Sequence, residues 1–348
     1  MNLRAWLVLS RASNLPTVWS SVLVGWLAGT YLDGQSSSLY WGLLRLDQPV
    51  NVPILFWPLA ALLLAVSAIY VGGMILNDAF DAEWDAQHRP TRPIPSGVVS
   101  RQAALFAGFS LLFAGAAGAI LVRYLRMGTD VGLFAVIVLA LVACVLVYNR
   151  WHKGVVWAPV VMGLCRALLP ILGAVLGGES ILGTLTGPWE LYLLAAATLW
   201  AHTFGLTWVA RHEATDGTPP AWTAWALYVV PLPLALYAAS QVYLGGFMVC
   251  PFLAMFIAWI WFSNRRHPLP AGVSGRVSDR LAASPFLDYL VVGKPVLWIT
   301  VPFISPAAFL VIHPTHLPNL LPFGALALLG PLVCFGLTLL FRRWIPQT

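Results

Sequence analysis

Residues 54–85 read ILFWPLAALLLAVSAIYVGGMILNDAFDAEWD. The stretch Ile54–Leu76 carries no charged side chain, and four acids follow it at once: Asp78, Asp81, Glu83 and Asp85. An α-helix needs about 20 apolar residues to cross a bilayer. Carboxylates at the end of such a run are expensive, and an expensive ionisable group is a functional candidate. The segment predicts a membrane-spanning helix that ends in an acidic site.

The rest of the chain repeats the apolar pattern. Its 348 residues are 59% apolar and 9% charged, with a mean hydropathy of +0.81. A soluble domain is about 45–50% apolar and about 25% charged, so soluble, disordered and disulfide-framed classes are excluded. Cys144, Cys165, Cys250 and Cys334 lie in apolar runs without CxxC spacing and read as packing residues. Apolar stretches fall at Leu15–Leu32, Ile54–Leu76, Ala103–Val122, Val131–Tyr148, Val155–Gly177, Leu191–Ala210, Trp222–Tyr243, Phe247–Phe262, Val296–Ile312 and Leu320–Phe341. The expected fold is all-α: one integral-membrane domain over residues 1–348, a polytopic bundle of nine to ten transmembrane helices. Its first half runs over about 10–150 and its second over about 151–348. Arg4 and the run Ala5–Leu9 imitate a signal peptide, but Arg11 cuts the run short and no cleavage site follows, so no cleavage is expected.

Loop charge predicts the orientation. Fifteen Lys and Arg fall on the side of the N-terminus, whereas only Arg45, Arg123 and Arg126 fall on the other. Positive charge marks the cytoplasmic side, so both termini and the acidic motifs are expected there. The net charge of +6 is read through this topology and implies no nucleic-acid partner. The long connection Ser263–Pro295 contains an amphipathic piece (Val277, Leu281, Phe286, Leu290), expected to be a cytoplasmic cap or interfacial helix.

Asp78, Asp81 and Asp85 stand at offsets 0, 3 and 7, on one face of a helix. Three carboxylates so placed repel one another unless a cation neutralises them. Mg2+ suits the task, because it takes oxygen ligands and shares them with substrate phosphates. Glu83 points elsewhere and is expected in solvent. Pro90, Pro93, Pro95 and Gly97 then end the helix in a turn, which brings Arg89 and Arg92 near the acids. Arginine forks bind phosphate oxygens. A second acidic pair, Glu213 and Asp216, follows the sixth stretch at i, i+3.

The run Asn77-Asp78-x-x-Asp81-x-x-x-Asp85 followed by Arg92-Pro93-Ile94-Pro95-Ser96-Gly97 resembles the first signature of the UbiA superfamily of intramembrane prenyltransferases. Ser10-Arg11-Ala12-Ser13-Asn14-Leu15-Pro16-Thr17 is similar to that family's opening segment, and Tyr148-Asn149 with Lys153 to its stretch after the fourth span. The resemblance covers most of residues 10–216 and weakens beyond. It implies a helical bundle around a central cavity open toward lipid. It also implies Mg2+-dependent transfer of an isoprenoid chain from a polyprenyl diphosphate to an acceptor. The family's second motif is often DxxxD; Glu213 and Asp216 depart from it, and their role as metal ligands rests on the resemblance.

Under that reading Asp78, Asp81, Asp85, Glu213 and Asp216 hold metal, and Asn77, Arg89, Arg92, Lys153, Arg166 and Arg211 contact diphosphate, with Arg150 behind them. Arg166, in mid-span, must be paired inside the bundle and is equally suited to an acceptor. Tyr148, and more weakly Tyr70 and Trp208, are aromatic faces for an allylic cation. His88, His152, His202 and His212 are possible bases, and no spacing singles one out. The acceptor and the oligomeric state are left open. Competing readings are a terpene cyclase on the same scaffold, a transport or lipid-binding protein, and a non-catalytic family member.

Overall fold

The computed structural model describes residues 2–34, 52–128, 130–153, 155–178, 189–211, 219–240, 245–269, 272–290 and 317–345. Among them there are helices and no strands. A short α1 (Leu3–Ser10) and a 3-10 turn (Ala12–Asn14) lead into α2 (Leu15–Gly34). The quoted segment forms α3 (Val52–Phe80) and, after a bend at Asp81, α4 (Ala82–His88). There follow α5 (Arg101–Met127), α6 (Val131–Trp151), α7 (Ala158–Gly177) and α8 (Trp189–Ala210). Next come α9 (Ala221–Val229), α10 (Leu232–Ser240), α11 (Gly245–Arg266), α12 (Val273–Ala282) and a helix over 284–290, α13. Finally α14 spans Leu317–Trp344.

Six described helices are long and apolar enough to cross a membrane: α3, α5, α6, α7, α8 and the end of α14. The predicted seventh stretch, Trp222–Tyr243, divides into α9 and α10 around Pro231, whose ring cannot continue the hydrogen-bond ladder. The predicted ninth, Val296–Ile312, lies outside the described residues. The amphipathic piece of the long connection is α12, with Val273 and Ala282 buried.

Small residues set the closest packing. A Cβ on Gly25 would collide with the Pro170 carbonyl oxygen, and one on Gly29 with that of Ala174. Gly173 and Gly177 meet α2 as closely, against Val22 and Trp26. So α2 and α7 run in the same direction, joined by two facing Gly-x-x-x-Gly patterns, the device that lets helices approach in lipid. α3 packs antiparallel on α5, where Gly72 lies against Gly108 and Gly115 against Ala65.

Two of the three arginines predicted on the far side have a structural task. Arg123 is fully buried and donates to the carbonyls of Val175 (3.0 Å) and Gly178 (3.2 Å). Arg126 donates to those of Leu176 and Gly177. The last carbonyls of a helix have no partner within it, and these two side chains supply one to the end of α7. At the other end of the bundle Arg342 of α14 reaches the Asn14 amide oxygen at 3.5 Å.

Candidate active site

Polar side chains gather at the end of the bundle where α1 meets α3. Arg11 stops α1 in a left-handed conformation (φ 44°, ψ 40°), with its N–H bonded to the Val8 carbonyl. For a residue with a Cβ this conformation is unfavourable and persists only where the surroundings demand it. It lets the guanidinium reach Asp78 Oδ1 at 3.1 Å.

Arg92 approaches the same carboxylate from the turn after α4. Its Nη1 donates to Asp85 Oδ2 at 2.9 Å and to Asp78 Oδ1 at 3.3 Å. All three side chains are buried. Asp78 and Asp85, seven residues apart, lie almost in line along the helix and meet on one nitrogen.

Asp81 takes other partners. It bends the chain yet keeps the helical bonds on both sides, Asp81 N–H to Asn77 O (3.0 Å) and Asp85 N–H to Asp81 O (2.8 Å). Its carboxylate accepts from Lys153 Nζ at 2.8 Å and contacts His152 Nε2 at 3.3 Å. Burial pushes the Asp81 carboxyl up, but the His152 and Lys153 donors outweigh it and hold the group below its ordinary range. The three acids expected on one face therefore divide, two toward Arg92 and one toward Lys153.

The donor set suits Mg2+. Asp78 and Asp85 converge on a point occupied by a cationic nitrogen, and all their donors are hard oxygens. Among the described residues no three His, Cys, Asp or Glu side chains already form a metal cluster, and Arg11, Arg92 and Lys153 supply the counter-charge. Glu213 and Asp216 lie outside the described residues. Glu83 is exposed as expected and pairs with Arg101 at 2.7 Å.

A cavity of about 260 Å³ opens beneath this cluster. Arg11, Asn14, Tyr70, Tyr148, Asn149 and Arg166 form its polar part; Val18, Val66, Ile69, Leu141, Val145 and Leu169 line its apolar part. A more open groove of about 800 Å³ lies outside it, walled by Asp81, Trp84, Arg101, Arg150, His152 and Lys153. Asn149 lines both. It accepts from Asn77 Nδ2 (3.3 Å) and donates to the Gly73 carbonyl (2.8 Å), so Asn77 fastens α3 to α6.

The remaining predicted residues separate. Tyr148 borders the cavity and stacks on His152, with ring centroids 5.0 Å apart. Arg166 donates through Nη2 to Thr17 Oγ1 at 2.9 Å, and Tyr70 donates to the Arg11 carbonyl at 3.4 Å. Arg89 lies 5.8 Å from the Trp84 ring centre, and Arg211 lies 5.4 Å from that of Trp208 while donating to the Val155 carbonyl. Neither Arg89, Arg211 nor Trp208 lines the cavity, and the structure gives Arg211 a part in helix packing. Of the histidines, His152 meets Asp81, His88 stacks on Trp84, and His202 faces the Arg280 carbonyl at 3.2 Å; His212 lies outside the described residues.

Arg11 and Asn149 were not singled out as site residues from sequence. Arg11 also serves as a topological charge, and an Asn carries no spacing signal. Their place depends on α1 and α6 closing over α3.

The UbiA prenyltransferase family model matches residues 36–271, which include the Asp78–Asp85 motif and Arg92. The chain belongs to the UbiA prenyltransferase family. The digeranylgeranylglyceryl phosphate synthase of Methanoregula boonei is 34% identical over 128 residues, 37% of this chain and 38% of that protein. The Sulfurisphaera tokodaii protein of the same name is 30% identical over 174 residues, 50% of this chain and 56% of that protein. The chain thus spans about two fifths to a little over half the length of these UbiA relatives. A structure solved in work on digeranylgeranylglyceryl phosphate synthase in membranes aligns with 84% of this chain and 98% of its own. Its TM-score is 0.52 at 14% identity, a likeness of fold.

Proposed function

We propose that this UbiA-family chain is a membrane prenyltransferase that moves an isoprenoid group from a polyprenyl diphosphate to the hydroxyl of a glyceryl phosphate acceptor. The observation that carries the reading is the buried Asp78–Arg92–Asp85 cluster standing over a cavity that is polar at one end and apolar at the other. A prenyl diphosphate has the same two-part chemistry. The names of the relatives favour glyceryl phosphate as acceptor and geranylgeranyl as the transferred chain.

In the reaction the allylic C–O bond breaks, and the diphosphate leaves with the electron pair. The acceptor oxygen bonds to the freed carbon and passes its proton to the released diphosphate. Mg2+ held by Asp78, Asp81 and Asp85, with Glu213 and Asp216 as further ligands, would neutralise the leaving diphosphate. Arg92 and Lys153 hold those carboxylates in place and offer donors to phosphate oxygens. Arg89 and Arg150 lie farther out as secondary phosphate contacts. Tyr148 turns an aromatic face to the cavity where positive charge develops on the allyl group. The apolar wall from Val18 to Leu169 takes the chain and excludes water. Residues 1–348 act as one domain, with both termini and the acidic end on the cytoplasmic side, as the loop charges favour.

The test is release of diphosphate from geranylgeranyl diphosphate by purified protein in lipid, with Mg2+ or EDTA, and mass spectrometry of the lipid product. Metal-dependent release with a joined prenyl glyceryl phosphate supports the reading. A cyclised hydrocarbon, or no release with any donor length, refutes it.

A further inference from the structure

The site contains two separate cationic poles, and only one belongs to the acidic motif. At the first, Arg92 and Lys153 are ion-paired with Asp78, Asp81 and Asp85. The second is Arg166, on α7. It is 9% exposed and lines the inner cavity. Its Nη2 is bonded to Thr17, whereas its Nη1 is buried without a hydrogen-bond partner. A buried guanidinium with an unused N–H beside a cavity is costly unless a ligand completes it.

Arg166 has no carboxylate within salt-bridge distance among the described residues. Asp288, on the helix over 284–290, is buried and bonds to α2, the same helix that holds Arg166 through Thr17. Asp288 Oδ2 accepts from Ser21 Oγ at 3.3 Å, and the Ser20 side chain stands beside it. Ser20, Ser21 and Thr17 all lie on α2, so one helix braces both Arg166 and Asp288. Asp288 does not line the cavity. It also falls beyond the residues that the family model matches.

We infer that Arg166 binds the anionic head of the acceptor, and that Asp288 positions Arg166 from outside the cavity. The inference rests on the proposed transfer to a glyceryl phosphate. Two phosphorylated substrates need two anion sites. A diphosphate that reacts with metal belongs at the carboxylates. A phosphate monoester needs no metal and is well met by a guanidinium that makes no ion pair inside the cavity. Arg166 lies on α7 against α2, whereas the acidic motif lies at the end of α3 and on α4, joined to the cavity through Arg11. The cavity between them gives the acceptor hydroxyl a path to the allylic carbon while its phosphate stays apart from the leaving group.

The experiment measures binding and turnover separately in the full chain in lipid. Binding of a short-chain glyceryl phosphate monoether, and of the same lipid without phosphate, is followed by calorimetry. Steady-state KM is then measured for acceptor and donor in turn. Wild type should prefer the phosphorylated lipid by about tenfold or more, the size of a charge-assisted contact. Arg166→Gln should abolish that preference and raise acceptor KM by about the same factor, and Arg166→Lys should restore part of it. Asp288→Asn should raise acceptor KM severalfold while donor KM changes less than acceptor KM, a split that general loosening of the fold would not produce. Equal wild-type binding of the two lipids, or a rise in donor KM alone, overturns the inference. Binding that depends on Arg166 without any transfer upholds this site and refutes the proposed reaction. Thermal unfolding of each variant identifies those that fold, and the comparison of the two lipids on wild type decides even if a variant does not.

Discussion

The two ends of the bundle use inward-turned arginines differently. At one end Arg123 and Arg126 donate to backbone carbonyls at the close of α7. Their acceptors belong to the fold itself, so the contact is complete as soon as the helix forms. At the other end Arg11 and Arg92 meet carboxylates, and Arg166 meets a hydroxyl and keeps an unbonded N–H. There the pairing partners are themselves ionic and exchangeable. Arginines that satisfy helix ends brace the structure, and arginines that balance carboxylates over a cavity equip a site.

Substitutions should separate the ends. The largest effect is expected at the acidic end: Asp78→Ala removes the carboxylate shared by Arg11 and Arg92 and should lower turnover by about a thousandfold. Diphosphate release measures it, and wild-type rates in both Asp78→Ala and Asp81→Ala would strip that end of its catalytic role. Next comes the brace between the ends. Gly25→Leu forces a side chain against the Pro170 carbonyl and should cost about 3 kcal/mol of stability, read by thermal unfolding. Because Thr17 and Arg166 sit on the same pair of helices, its acceptor KM should rise as well.

Arg123→Gln tests the opposite end. It should cost about 2 kcal/mol in stability and leave both substrate KM values near wild type. A large change in acceptor KM would mean that the two ends are coupled. The smallest effect concerns Lys153. Its ion pair with Asp81 is 37% exposed on the lysine side, so Lys153→Met should cost less than about 1 kcal/mol of stability. The Asp81 pKa is lowered in the folded state, so the stabilisation is present above the ordinary value of 3.8 and is lost as pH falls through the folded value. The stability difference between wild type and Lys153→Met should therefore be constant above pH 3.8 and shrink below it. A gap that widens in acid would show that the lysine acts through another group.

Part of the arrangement at the candidate site is legible in the sequence. The offsets of Asp78, Asp81 and Asp85 and the nearby Arg92 identify an acidic site at a helix end, and Arg92 does bridge two of the acids. The division of the three acids was not legible. A helical wheel assumes a straight helix, whereas the chain bends at Asp81 and turns that carboxylate to Lys153. Arg89 and Arg211 carry the right charge at the right end, yet they rest on Trp84 and Trp208. Charge and end of the membrane follow from local sequence; the direction of a long side chain depends on what packs beside it.

Composition and the spacing of apolar runs were enough to establish a helical membrane protein, because lipid leaves a chain few ways to satisfy its backbone. Motif spacing was enough to bring Asp78 and Asp85 together, because the helical hydrogen bonds carry on through the bend at Asp81 and keep residues seven apart on one side. Which distant residues complete that site was decided by helix packing. Thr17 meets Arg166, and Ser21 meets Asp288, across 149 and 267 residues of chain. No local pattern encodes those contacts. They arise because facing glycines let α2 and α7 approach almost backbone to backbone, and that approach is a property of two helices together.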